Sequence, residues 1–519
     1  MKKNTNTRAA NFPRAAARLA LSVAALALAL APAGRALAQG QPQAAPGQDK
    51  TVSRSKVERK NRAPVSKDIL RVKLPKAVET KLDNGLTVLV LEDHRFPVVN
   101  LRLSISGAGP VFEPADRPGL ANVTAQMLRE GTKTRTSRQI AEEIERLGAS
   151  LTASSGYGSS AAAVNASGLS DNFDQWFALY TDVLLNPTFP ADELAKLKTR
   201  LKTSLSLQRT QPFFLAEERF RRAVYGDHPA AVYSTTPEVL DSLTPEMLAR
   251  WHSERYAPQN AILGIAGDVN PQDVIAKLRQ AFAGWKKTDY KEVLPPNPKP
   301  AASKKIFLID RPDSVQSTIT MGNIAIDRRS PDYVPVVVMD SVVGGGSSAR
   351  LFLNLREDKG YTYGVYSGFT ALKYPGPWSA GGDVRTEVTE GAMNELIYEL
   401  KRIRDEPVPA AELEEKKRAI VAGFALSLES PATLLNYEVL RKIYDLPADY
   451  WDTYPARIMA VTAEDVQRVA RRYVNPEAHQ VVVVGDAGKI RSILEKFGPV
   501  EVYNTEGRPL AETVKPNMP

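Results

Sequence analysis

The chain has 519 residues, a length that favours two or more domains over a single core. Its 68 basic and 59 acidic residues give a formal charge of +9, but six of the basic and none of the acidic ones fall within the first 38 positions. The remainder carries only +3, which removes the main support for a nucleic-acid partner, and the lack of cysteine excludes disulfide frameworks, thiolate nucleophiles and Cys-ligated zinc.

In chain order the first predicted element is a targeting segment. Lys2, Lys3, Arg8, Arg14 and Arg18 form a basic region, Leu19 to Ala31 is a short apolar run, and Ala36-Leu37-Ala38 supplies a small-x-small cleavage pattern. The run is too short to span a bilayer comfortably. Residues 1–38 therefore read as a cleaved signal peptide, implying an exported, periplasmic protein with no stable membrane span after cleavage. Residues 39–74, with few apolar side chains at their start, read as a disordered tether.

A first folded unit is expected over 75–292. In "ETKLDNGLTVLVLEDHRFPVVNLRLSISGAG", Asp83-Asn84-Gly85 is a hairpin-turn signal between strand runs. "GLANVTAQMLREGT" reads as a helix opening after Gly119, with Asn122 and Gln126 one turn apart and Ala125 beside them. "TSRQIAEEIERLG" is a second helix, with Thr136 as N-cap, Gln139 three residues on and Gly148 as its stop. "NFDQWFALYTDVLLNP" is a third, ended by Asn186-Pro187, and "NAILGIAGD" is a buried strand. Four prolines between Pro295 and Pro300 mark a semi-rigid linker, placed at 293–303. A second unit follows over 304–500, with 501–519 as a tail.

The two units resemble each other. "ERYAPQNAILGIAGDV" recurs as "RRYVNPEAHQVVVVGDA", matching Tyr256 to Tyr473, Pro258 to Pro476 and Gly267-Asp268 to Gly485-Asp486. "LTPEMLARW" pairs with "VTAEDVQRV", and "FPADELAKLK" with "VPAAELEEKK", at nearly the same separation. A duplicated domain of about 200 residues is the simplest account. The fold class is α+β: two homologous α/β sandwich domains, each a mainly antiparallel sheet with a helical layer, joined by the Pro-rich linker.

This ordered set, with "EGTKTRT", "YGDHPAAVYSTTPEVLDSLT" and "SSARLFLNLREDKGYTYGVYS", resembles the pitrilysin/insulinase family, the inverzincin metallopeptidases, over roughly Pro75 to Val500. In active members two histidines four residues apart bind zinc and an intervening glutamate is the general base. Here the matching positions are Asn122, Ala125 and Gln126. A carboxamide is a poor zinc ligand and alanine cannot take a proton. The family's downstream glutamate ligand should lie near Lys196 to Gln208, yet no acidic residue occurs between Leu194 and Ala216. The histidines are only His94, His228, His252 and His479, none at helical metal-site spacing. No metal or other cofactor is expected in this chain.

"SSARLFLNLREDKGYTYGVYSGF" reads as a helix with Leu351 and Leu355 buried, stopped by Gly360 and handing over to a strand. By the same resemblance Arg356 and Tyr363 match the family's Arg–Tyr pair, which faces the scissile peptide and can stabilise its oxyanion. The plainer alternative is a helix-capping Arg356 and a sheet-packed Tyr363. Gly344, Gly345 and Gly346 lack the Gly-Lys-Ser/Thr of a phosphate loop, and either form a flexible loop or line a substrate chamber.

The resemblance implies the non-zinc subunit of a heterodimeric peptidase, similar to the mitochondrial processing peptidase family. Such a chain is inactive alone. It is paired with a homologous His-x-x-Glu-His subunit that carries the zinc, and acts on peptide substrates in a closed chamber. The alternative is a structural or peptide-binding pseudopeptidase. An active enzyme with an unorthodox site, or an exported adhesin, has less in the sequence to support it.

Overall fold

A computed structural model describes residues 70–510, so the signal segment, most of the tether and the last nine residues lie outside the described residues. Leu74, the final residue of the expected tether, is buried, and its N–H donates to Asp452 Oδ1 at 2.9 Å.

The first sheet comprises β1 (Val78–Lys81), β2 (Thr87–Glu92), β3 (Val98–Ser106), β4 (Ser150–Ser154), β5 (Ala161–Leu169) and β6 (Ala261–Gly267). Its order is β1-β2-β6-β3-β5-β4, antiparallel except for β2 beside β6. The β1–β2 hairpin turns at Asp83-Asn84-Gly85, where Asn84 Oδ1 accepts from Leu86 N–H at 3.2 Å. Alternation along β3 sends Leu101, Leu103 and Ile105 into a core with Val164, Trp176 and Tyr180. Helix Ser137–Arg146 opens on the Thr136–Gln139 capping box, and helix Phe173–Leu185 supplies Trp176 and Tyr180.

The second sheet comprises β7 (Lys305–Asp310), β8 (Gln316–Ile326), β9 (Thr362–Ala371), β10 (Pro375–Arg385), β11 (Gln480–Gly485) and β12 (Val500–Tyr503), ordered β12-β7-β11-β8-β10-β9. Five strands repeat the first sheet's pattern. The sixth differs: β1 lies antiparallel to β2, whereas β12 comes from the chain's end and lies parallel to β7. Residues 501–503 thus complete the second sheet instead of beginning a tail. No helix or strand interrupts residues 293–304.

Each sheet carries helices of its own half on one face and a helix from the opposite half on the other. Helix Pro212–Tyr225 of the first half lies on β8 and β11, where Phe214, Phe220 and Val224 share a core with Ile324, Val482 and Val484. Helix Pro431–Ile443 of the second half lies on β6 and β2, where Leu435 and Val439 meet Leu89 and Leu91. Gly264 permits that approach, since a Cβ there would sit 2.7 Å from Leu435 Cδ1 and 2.8 Å from Val439 Cγ2. Lys373 adds a tie between the halves, with Nζ 2.7 Å from Glu292 Oε2 and 3.1 Å from Ser106 Oγ.

Candidate functional site

Helix Leu120–Met127 packs Val123, Ala125 and Met127 inward, leaving Asn122 and Gln126 half-buried on one side. Its N-terminus is capped by Glu113, whose carboxylate accepts from Gly119 N–H at 2.9 Å and Ala121 N–H at 2.5 Å. Burial pushes Glu113 up to about 7, outweighing those two bonds, which pull the other way.

The two carboxamides form a chain instead of converging on a point. Asn122 Nδ2 donates to Ser155 O at 3.0 Å, and Gln126 Nε2 donates to Asn122 Oδ1 at 2.6 Å. Beside them opens a cavity of about 730 Å³. Helix Ala191–Gln208, to which the resemblance assigns the family's carboxylate ligand, contributes Leu201, Ser204, Leu205 and Gln208 to its wall. Neutral amides engaged with each other, an alanine with no exposed surface and a wall without carboxylates do not fit a zinc ion. Among the described residues no three His, Cys, Asp or Glu side chains gather as a metal site.

The histidines stand apart, each in its own surroundings. His94 bridges Asp268 at 2.6 Å and Glu92 at 2.8 Å, and these carboxylates hold its pKa above the usual value. His228 accepts from Ala230 N–H through Nδ1 at 3.1 Å and lies 4.7 Å from the Tyr374 ring. His479 is buried and His252 half-buried, and desolvation lowers His252 to about 4 and His479 to about 3.

Arg356 and Tyr363 are brought together. Helix Arg350–Phe352 passes into a wider π-turn over Leu353–Asp358, with Leu351 and Leu355 fully buried. Gly360, at φ 64°, then lets the chain turn into β9. The Arg356 guanidinium carbon lies 4.6 Å from the Tyr363 ring centre and 4.8 Å from that of Phe352. Tyr363 is 86 % exposed and is not packed into the sheet. Tyr363 stands on the edge strand β9 and Arg356 on the π-turn before it, and neither lines the cavity that holds Asn122 and Gln126. Two ties anchor the segment: Arg350 Nε and Nη2 each reach Glu412 at 2.8 Å, and Lys416 Nζ donates to Ser348 O at 2.8 Å.

The glycine run packs beside the same strand. Gly344 O accepts from Ser367 N–H at 3.1 Å, and a Cβ on Gly344 would lie 2.3 Å from that nitrogen. Gly345 is exposed and Gly346 has open space where a side chain would go. Close backbone contact with β9 thus explains Gly344.

Three features escaped the sequence reading. Phe352, the second aromatic face on Arg356, stands four residues before it, a spacing that could have revealed it. The Glu113 cap left no such signal. Nor did the walls of the cavity, which come from four separate stretches of the first half.

Comparison with known proteins adds family likeness to this geometry. Residues 87–235 match the family described as insulinase (peptidase family M16), and residues 242–420 match the peptidase M16 inactive domain. The first match includes Asn122 and Gln126, and the second includes Arg356 and Tyr363. An uncharacterized zinc protease of Rickettsia bellii is 25% identical over 418 residues, spanning 78% of this chain and 96% of that protein. A similar protein of Bacillus subtilis is 22% identical, spanning 79% and 98%. The crystal structure of a peptidase M16 inactive domain from Pseudomonas fluorescens superposes with a TM-score of 0.74 at 28% identity, covering 79% of this chain and 98% of that one. A protease from Helicobacter pylori shares the fold at a TM-score of 0.72 and 20% identity, covering 79% and 100%.

Proposed function

Since the chain belongs to the pitrilysin/insulinase (M16) peptidase family, we propose that it is the non-zinc subunit of an exported, two-chain peptidase. It supplies Arg356 and Tyr363 to peptide hydrolysis in a chamber shared with a homologous subunit. That subunit carries His-x-x-Glu-His and the zinc, and the periplasm is the proposed compartment.

One observation carries this reading. Arg356 is held between two aromatic rings and presented outward with an exposed Tyr363, while helix Leu120–Met127 has neither metal donors nor a base. A guanidinium and a phenol, already oriented before substrate arrives, suit a carbonyl oxygen that gains negative charge during attack. The two rings restrain the guanidinium, and its Nε lies 3.6 Å from Glu357 Oε1, a neighbour with which a substrate oxygen would share the cation.

The test is reconstitution with an exported His-x-x-Glu-His chain encoded by the neighbouring reading frame. This chain alone should cleave nothing, and the pair should cleave unfolded peptides. Arg356→Ala and Tyr363→Phe should each lower turnover by about two to three orders of magnitude while the complex stays assembled. Unchanged turnover in an intact complex would reduce the chain to a structural subunit.

A further inference from the structure

A second cleft opens on the first sheet, on the face turned away from the core that holds Leu101, Leu103 and Val164. Its floor is two rungs of polar side chains. Asn100, Ser167 and Ser150 stand across β3, β5 and β4, and Arg102, Asn165 and Thr152 stand two residues along. Its wall is the start of helix Pro431–Ile443 from the other half, through Ala432 and Leu435. The cleft holds about 210 Å³, less than the roughly 300 Å³ at which drug-sized sites begin.

The floor is unspent. Among the described residues, none of these six side chains has a hydrogen-bond partner within the protein, and Asn165 Oδ1 is enclosed without one. Arg102 is the sole charged side chain lining the cleft, and no carboxylate pairs with it. Desolvation alone moves its pKa, and moves it down. The fold does not demand an arginine here. Arg102 pairs with Gly264, whose counterpart in the duplicated block is Val482, and the matching rung of the second sheet is Thr320, Gly381 and Tyr366. Ala432 adds to the positive character. It lies in the first turn of a 13-residue helix, and its N–H meets no protein acceptor.

These features select a ligand class. One lone guanidinium matches one negative charge, whereas a cation would find no counter-charge and a dianion only half of one. The guanidinium fork fits both oxygens of a carboxylate, and the flanking hydroxyls and amides can donate to the same oxygens. Ala432 and Leu435 supply a short apolar wall beside them. We propose that this cleft binds a short-chain aliphatic carboxylate, with its oxygens on Arg102, Thr152 and Ser167 and its alkyl chain against Ala432 and Leu435. No bond is made or broken there. The site neither uses Arg356 and Tyr363 nor needs a partner subunit.

The experiment uses the mature chain alone, so that its outcome is separable from assembly and turnover. Butyrate is titrated by ligand-observed saturation-transfer NMR. Three further probes are run beside it: butyramide keeps the shape without the charge, formate keeps the charge without the chain, and inorganic phosphate carries more charge. Saturable butyrate binding is expected near about 1 mM, with butyramide and formate about tenfold weaker or worse and phosphate a poor competitor. Butyrate at saturation should also raise the melting temperature, because it binds the folded chain. Arg102→Gln should weaken butyrate by about tenfold or more. Arg102→Lys, which keeps the charge and loses the fork, and Thr152→Val should each weaken it several-fold. No saturation by about 10 mM, butyramide or formate equal to butyrate, displacement by equimolar phosphate, or wild-type affinity in Arg102→Gln would overturn the proposal. Should Arg102→Gln melt early, Arg102→Lys and the contrast between butyrate and butyramide on the unaltered chain decide.

Discussion

The two halves share five equivalent strands in the same spatial order, yet their singled-out side chains face opposite ways. In the first half Asn122 and Gln126 turn their polar groups on each other and on Ser155 O. In the second, Arg356 on the turn Leu353–Asp358 stacks on the exposed Tyr363 of the edge strand β9. The difference teaches that the framework depends on neither set. Leu101, Leu103, Trp176, Ile319 and Trp378 hold the sheets, and half-buried polar positions beside them are free to change.

The strongest way to break the symmetry is to cut the helices each half places on the other. Phe220→Ala should cost about 3–5 kcal/mol and Leu435→Ala about 2–5 kcal/mol in urea unfolding. Amide exchange should quicken in β8 and β11 for the first variant and in β2 and β6 for the second. Loosening confined to the mutated residue's own half would refute reciprocal support. Next comes the functional contrast: Arg356→Ala should lower turnover of the paired enzyme by about two to three orders of magnitude, with stability of the isolated chain changed by less than about 0.5 kcal/mol. Asn122→Ala should leave turnover unaltered. A fall comparable with that of Arg356→Ala would place the first half in the chemistry.

A smaller effect is expected at Gly264. Valine there must displace Leu435 and Val439, and should cost about 1–3 kcal/mol with no loss of peptide turnover per folded molecule. The effects of pH have opposite signs. His252 and His479, one in each half, have folded pKa values lowered by burial to about 4 and about 3 from 6.5. Their stabilisation is complete above pH 6.5 and is lost as pH falls toward 4 and 3, because the unfolded chain takes up protons first. His479→Leu should flatten that acid limb in urea midpoints measured from pH 7.5 to 4.5. Glu113 is raised by burial to about 7 from 4.5, so its contribution is complete below 4.5 and declines as pH rises through 7. Glu113→Gln should remove that decline in the same titration.

Much of this was readable along the chain. The turn at Asp83-Asn84-Gly85, the Thr136–Gln139 capping box, the stop at Gly360 and the duplicated blocks all appear where expected. The proximity of Arg356 and Tyr363 was also legible, because one glycine turn joins the segments that carry them. That positions 122, 125 and 126 offer neither histidine nor carboxylate is a matter of residue type alone.

Tertiary structure alone decided which sheet helices Pro212–Tyr225 and Pro431–Ile443 cover, that residues 500–503 join the second sheet, and that residues from four stretches enclose a cavity. The physical reason lies in the reach of the forces. Caps and turns are hydrogen bonds between near neighbours, so local sequence specifies them. An apolar helix face records only that it must be buried, because the hydrophobic effect has no direction, and its partner is chosen by the packing of the whole chain.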